Sequence, residues 1–358
     1  MEIHYKGSGL HIESQVSFEE TQEPRIGYVV KSNDPNCLQH LLFDHEISAD
    51  KLEISITSDY NGFHYPTIHV DLTITMPKAS TLSQFQSEGG LVWKGQGIKS
   101  PVKHFSSKSN FGSLKISDLD TANLELSASA GSISLSDITS QSNIDLKSSF
   151  GSVSLENVAT DSLSCKVDSG GIRTDNVTIN EKAQLETSFG SIKGTEMKSN
   201  SLIASASSGT VHALKVELTD AVEISSSFGS VQVDLCYPDY GIASTKLEAN
   251  SGSINGKISN YKKLDAHSNF GSIKLDLSPR KDENSSTKLF ADSGSIKTTV
   301  YEYQGQFDAT TSSGSLTISG DVEFIVDKSH QKSGIVREGT IGTLYSHSTF
   351  GSTTLNFK

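Results

Sequence analysis

Six basic residues hold one and the same place in a recurring sequence unit: Lys115, Arg173, Lys193, His212, Lys274 and Lys297. Aligned on one face, they would form a cationic row able to dock an acidic polymer. The plainer reading is a solvated face whose charges discourage edge pairing. Serine recurs directly after the glycine of the unit, in ten of twelve copies. A serine nucleophile needs a positioned base, and none recurs beside it, so these hydroxyls are expected to bond the backbone at a bend. The 11 histidines are scattered, and His64 and His69, the nearest to a cluster, lack metalloprotease spacing. Cys37, Cys165 and Cys236 are odd in number and widely spaced, which suits neither a disulfide framework nor a zinc site. Neighbouring units bring no Asp, Arg and His together in the way a polysaccharide-cleaving site requires. No catalytic residue, metal or cofactor is therefore assigned.

The elements that would position these rows follow from self-similarity. Small-Gly-Ser signals centre on Gly112, Gly131, Gly151, Gly170, Gly190, Gly209 and Gly229, at spacings of 19 and 20 in turn, and continue at Gly252, Gly271, Gly294, Gly314 and Gly351. With the glycine as position zero, positions −7 and −5 are mostly apolar (Leu124/Leu126, Ile144/Leu146), −3 is small, and +2 and +4 are apolar (Leu114/Ile116, Ile133/Leu135). An aliphatic often follows at +7, as in Leu119 and Ile138. Alternation at period two indicates strands buried on one face. Each unit reads as strand, Gly-Ser bend, strand and polar corner. The fold class is all-β: a parallel β-solenoid or β-helix with about 12 rungs of about 20 residues and an N-terminal β-cap.

Position −1 alternates large and small: Phe111, Ala130, Phe150, Ser169, Phe189, Ser208, Phe228, Ser251, Phe270, Ser293, Ser313 and Phe350. Parity with the apolar positions places it inside, where alternating rings and hydroxymethyls would fill a narrow core. On that reading Phe189→Ala costs roughly 3–5 kcal/mol. Rings outside would instead form an aromatic stripe suited to sugars. The alternation breaks between Ser293 and Ser313, where packing is expected to change. Trp93 offers the largest stacking surface, in a degenerate first rung near Gly89.

Residues 1–80 lack the repeat and are assigned to the cap, 81–319 to the solenoid, and 320–358 to a C-terminal cap element and last rung. The net charge of −12 argues against nucleic acid as a partner. Membrane insertion is not expected, because no apolar run reaches the ~20 residues of a span. As written, the chain reads as cytoplasmic, or as a cell-surface protein if a leader was removed.

The segments Ser148-Ser149-Phe150-Gly151-Ser152-Val153-Ser154-Leu155 and Thr187-Ser188-Phe189-Gly190-Ser191-Ile192, with the lead-in Val70-Asp71-Leu72-Thr73-Ile74-Thr75-Met76-Pro77, resemble the putative-adhesin family, β-solenoid domains of largely unknown function. The resemblance covers about 68–358. It implies a solenoid with no catalytic residues to carry over and, by the family's name, adhesion at a cell surface. The expected function is a non-enzymatic binding or scaffold protein whose partner is a protein or a glycan. The alternative is a carbohydrate-active β-helix enzyme.

Overall fold

A computed structural model describes residues 2–7, 11–19, 25–32, 41–47, 51–58, 68–77, 83–95, 102–281, 284–337 and 341–358. Every regular element among them is a β-strand, stacked mostly in parallel into a β-solenoid. Among these residues no helix is long and apolar enough to cross a membrane. The chain divides into two compact units, Met1–Arg173 and Thr174–Lys358.

One rung of the first unit shows how sequence becomes shape. In Leu114–Ala130 the buried side chains are Leu114 and Ile116, then Leu119 and Thr121, then Leu124, Leu126 and Ala128. Two interruptions separate these groups. Asp118 takes a left-handed conformation with φ of 55°, and the register against the next rung shifts between Thr121 and Asn123. A rung therefore has three short sides, where the sequence pattern suggested two. The aliphatic at +7 opens the extra one. Asp137 and Asn157 repeat the left-handed turn in this unit, and Asn176, Glu196 and Lys215 repeat it in the second. Asp and Asn tolerate that conformation better than most residues. The turns also stack on each other, with Asn157 Nδ2 donating to Asp137 Oδ1 at 3.0 Å.

The third corner is the glycine. The Gly131 N–H donates to the Phe150 carbonyl at 2.9 Å, so the ladder runs unbroken round the bend. A Cβ on Gly131 would sit 2.1 Å from the carbonyl oxygen of Gly112 beneath it. Only glycine lets these backbones stack at the spacing of about 4.8 Å that the ladder sets.

In each unit the strands nearest the chain end lie one rung inside. In the first unit Glu2–Gly7 pairs in parallel with Lys51–Ser58 on one side and Gln84–Glu88 on the other. His11–Glu19 lies likewise between Ile68–Pro77 and Gly90–Lys94. The outer rung is then covered by antiparallel strands, Leu41–Ile47 on Lys51–Ser58 and Arg25–Ser32 on Ile68–Pro77. Much of the remainder of 1–80, including Cys37 and His64, lies outside the described residues. In the second unit Gly342–Phe350 runs between Ser285–Ser293 and Gly305–Ser313, and Thr353–Phe357 between Ile296–Val300 and Leu316–Ser319. The 320–345 region supplies the covering hairpin, Val322–Asp327 with Gln331–Val336, which pairs antiparallel with Gly305–Ser313. The last rung in sequence is thus not the last in space.

Trp93 is fully buried, so it offers no stacking surface. It meets Phe85 and Phe105 at 4.9 Å between ring centroids. In the second unit three rungs each bury a tyrosine. Tyr237 and Tyr261 bond Thr245 and Thr287 at 2.6 and 2.8 Å, and the Tyr303 hydroxyl donates to the Gln306 carbonyl at 2.6 Å.

Two predictions follow from the stacking. Gly209 has φ of +145° and would place a Cβ 1.9 Å from the Gly190 oxygen, whereas Gly27 has nothing within 4 Å. Gly209→Ala should cost about 2–4 kcal/mol in a denaturant melt and Gly27→Ala under about 0.5. Burial pushes the phenols of Tyr237, Tyr261 and Tyr303 above their ordinary range. A group whose folded pKa is raised keeps its stabilisation below the unfolded value of about 10 and loses it as pH climbs past that value. The melting temperature should therefore fall between about pH 9 and pH 12, and a flat profile there would place these phenols in water.

Candidate functional site

The corner glycines carry a ridge of aromatic rings. Phe111, Phe150, Phe189, Phe228, Phe270 and Phe350 are each 65–69% exposed. Their assignment to the core is overturned, and with it the expected cost of Phe189→Ala. Parity fails at −2, which the ladder skips: neighbouring rungs pair at −3 and at −1 but not between. The last inward side chain is at −3, and there every Phe rung has a hydroxyl: Ser109, Ser148, Thr187, Ser226, Ser268 and Ser348, all buried. These hydroxyls hold the corner carbonyls. Ser226 Oγ donates to Gly209 O at 2.7 Å, Ser268 Oγ to Gly252 O at 3.0 Å and Ser348 Oγ to Gly294 O at 2.9 Å. Five of the six rungs without a ring have Ala128, Val167, Ala206, Ala249 and Ala291 at −3; the sixth, that of Ser313, has the buried Thr311, which donates to Gly351 O at 2.9 Å. Every ring outside thus has a hydroxyl inside. That pairing is visible in the sequence and was the available sign that the rings face out.

In the second unit the ridge is complete. Gly190 N bonds the Ser208 carbonyl, and direct pairings then run Ser208–Phe228–Ser251–Phe270–Ser293–Phe350–Ser313. The break between Ser293 and Ser313 exists only along the chain, because the inserted C-terminal rung places Phe350 between them. Rings recur every second rung, about 9.6 Å apart. The first unit by itself has the order Phe111, Ala130, Phe150 and Ser169. The ridge has uncharged small residues beside it at +1, and their hydroxyls are engaged. The Ser253 N–H donates to Ser230 Oγ at 3.2 Å, Ser272 N–H to Ser253 Oγ at 3.2 Å and Ser352 N–H to Ser295 Oγ at 3.3 Å. The serine row is a structural ladder.

The basic row is aligned but not continuous. Lys115 lies between Val92 and Ser134 in the first unit, where Arg173 is the last residue. In the second, Lys193 lies opposite His212, then come the uncharged Gln232 and Asn255, then Lys274 and Lys297. Position −6 carries charges of both signs. Glu223, Lys246, Asp265 and Lys288 are successive neighbours, so acids and bases alternate, and Lys246 Nζ stands 2.9 Å from Glu223.

Other reactive groups have structural surroundings. Cys165 is buried and its thiol is pushed up by that burial. Cys236 borders a concavity of about 370 Å³ with Asn200, Glu217, Tyr237 and Tyr240. Burial first, then the charges of Glu217, Asp234 and Asp239, raise its pKa and keep the thiol protonated. The buried Arg280 guanidinium donates to the carbonyls of Pro238, Tyr240 and Gly241 and braces that loop. Among the described residues no group of three or more His, Cys, Asp or Glu could hold a metal ion.

The family profile described as Toastrack DUF4097 matches residues 14–239, more than half of the chain. The chain belongs to the Toastrack DUF4097 family. This agrees with the resemblance carried by the Phe-Gly-Ser rungs. No curated protein matches the chain. Among solved structures, the chain is similar to a crystal structure described as a putative cell adhesion protein from Clostridium sporogenes, at 8% identity, over 100% of this chain and 92% of that one, with a TM-score of 0.16. A superposition at that score carries no argument about function.

Phe228→Ser should change folding free energy by under about 0.5 kcal/mol, as surface substitutions do. Leu247→Ala, on the buried side of the same sheet, should cost about 2–5 kcal/mol. Equal losses in matched urea melts would return the ring to the core.

Proposed function

We propose that this Toastrack protein is a non-enzymatic binding or scaffold protein that docks partners along its aromatic corner. The observation that carries this reading is the set of six rings held two-thirds in water. Soluble monomers seldom expose ordered rows of large apolar groups, and such rows mark interaction surfaces. Aromatic side chains supply much of the energy at interfaces because each covers a large area while losing little rotamer freedom. The rings stand on a hydrogen-bonded ladder of backbone, so docking along it would order few further side chains on this side.

The groups able to do covalent chemistry support the same reading. The serine row is bonded to backbone, both described cysteines are protonated thiols, and the −6 acids alternate with lysines. A scaffold built this way presents surface and leaves its partner unchanged.

The test changes Phe189, Phe228 and Phe270 together to Ser. Fluorescence of bound bis-ANS should fall at least about threefold while the melt stays within about 1 kcal/mol of the parent. Incubation of the parent with a panel of plant and bacterial polysaccharides should release no reducing ends above buffer. Dye binding untouched by the substitutions, or reducing ends released by the parent, would replace this reading with the alternative of a carbohydrate-active enzyme or of a different docking face.

A further inference from the structure

The ridge of the second unit has a property that a random apolar strip would lack: it is complementary to itself. This inference rests on the ridge being a docking surface and names its occupant. We infer that the partner is a second copy of the same chain, joined in an antiparallel, two-fold symmetric pair through the corner from Phe189 to Ser313. In a two-fold interface the same patch serves both partners, so residue i meets j and j meets i.

The order of rungs permits this closely. Eight successive corners run Phe189, Ser208, Phe228, Ser251, Phe270, Ser293, Phe350 and Ser313. Place a second copy against them in the opposite direction, with the axis between Ser251 and Phe270. Phe189 then meets Ser313, Ser208 meets Phe350, Phe228 meets Ser293 and Ser251 meets Phe270. Every ring faces a gap and no ring faces a ring. The match holds over the whole length because both copies share one rung spacing. The even number of alternating rungs is essential, and it exists because the C-terminal rung is inserted between Ser293 and Ser313.

Charge agrees with the same register. On the +3 side of the ridge the order is Lys193, His212, Gln232, Asn255, Lys274, Lys297, Thr354 and Thr317. Reversal brings Lys193 to Thr317, His212 to Thr354, Gln232 to Lys297 and Asn255 to Lys274. No cation meets a cation, although like rows face each other in this symmetry. The spacing of basic residues in doublets, with two uncharged rungs between, is what removes the repulsion. On the −4 side Glu248 meets His267, and Glu186 meets Thr310. A same-direction pairing about a closed two-fold would set ring against ring.

The area is adequate. Each ring exposes about two-thirds of its surface. With roughly 150–250 Å² per aromatic side chain, four rings from each copy cover on the order of 1,000 Å². The serine floors and flanking rows bring the total near the roughly 1,200 Å² at which specific interfaces begin. A weak, micromolar dimer is expected.

Sedimentation of the full chain from about 5 to about 500 µM should show a monomer–dimer equilibrium. Phe228→Ser with Phe270→Ser should raise its Kd at least about tenfold. Ser251→Phe is the sharper variant. It adds apolar surface but blocks the gap that receives Phe270 of the partner copy, so it too should weaken the dimer by at least about tenfold. Stronger association in Ser251→Phe would mean unspecific stickiness and overturn the interdigitated pairing. A dimer indifferent to all these changes would place the interface elsewhere. A parent chain that stays monomeric, yet binds bis-ANS or cellohexaose in a manner lost in Phe228→Ser/Phe270→Ser, would overturn the self-pairing and leave the ridge as a docking surface for another partner.

Discussion

Close stacking of backbone on backbone at the glycine corner governs the rest of the structure. A rung spacing of about 4.8 Å leaves no space for a Cβ between successive corner carbonyls, as the 2.1 Å approach at Gly131 shows. Once glycine is fixed there, its neighbours are constrained too. Position −3 must be small, because it lies against the turning backbone. A hydroxyl at that place satisfies the corner carbonyl at little cost in volume. Position −1 is turned outward and freed from the core. The large residue that parity assigns to the interior thus becomes available for interaction with other molecules.

An outermost rung leaves an open edge, and exposed edges recruit other chains. In each unit an outer rung is covered by antiparallel strands, while the terminal strands of that unit lie one rung further in. The same insertion at the C-terminus completes the alternation of rings and serines. Edge protection and the regular surface thus share one topological device. Its cost is kinetic. Contacts such as Ser352 to Ser295 close a loop of 57 residues, and long-range parallel pairing is slow to form.

The sequence alone determined what depends on local periodicity. Alternating apolar residues on either side of a recurrent glycine specify short strands, their parallel stacking and the buried set from Leu114 to Leu355, because side-chain direction alternates wherever the backbone is extended. It also gave the role of the serine row, since a hydroxyl in a turn has backbone donors within reach. The three-sided rung was partly legible, in the +7 aliphatic and the Asp or Asn before it.

Only the tertiary structure decided which face the phenylalanines occupy, because period-two reasoning stops where the regular ladder is interrupted, and the pairing skips −2. It alone showed the order of the last rungs. Adjacency in a stack is set by hydrogen bonding between strands and need not follow chain order. The rows at +3 and −6 likewise take their charge pattern from neighbours that the chain keeps about twenty or more residues apart.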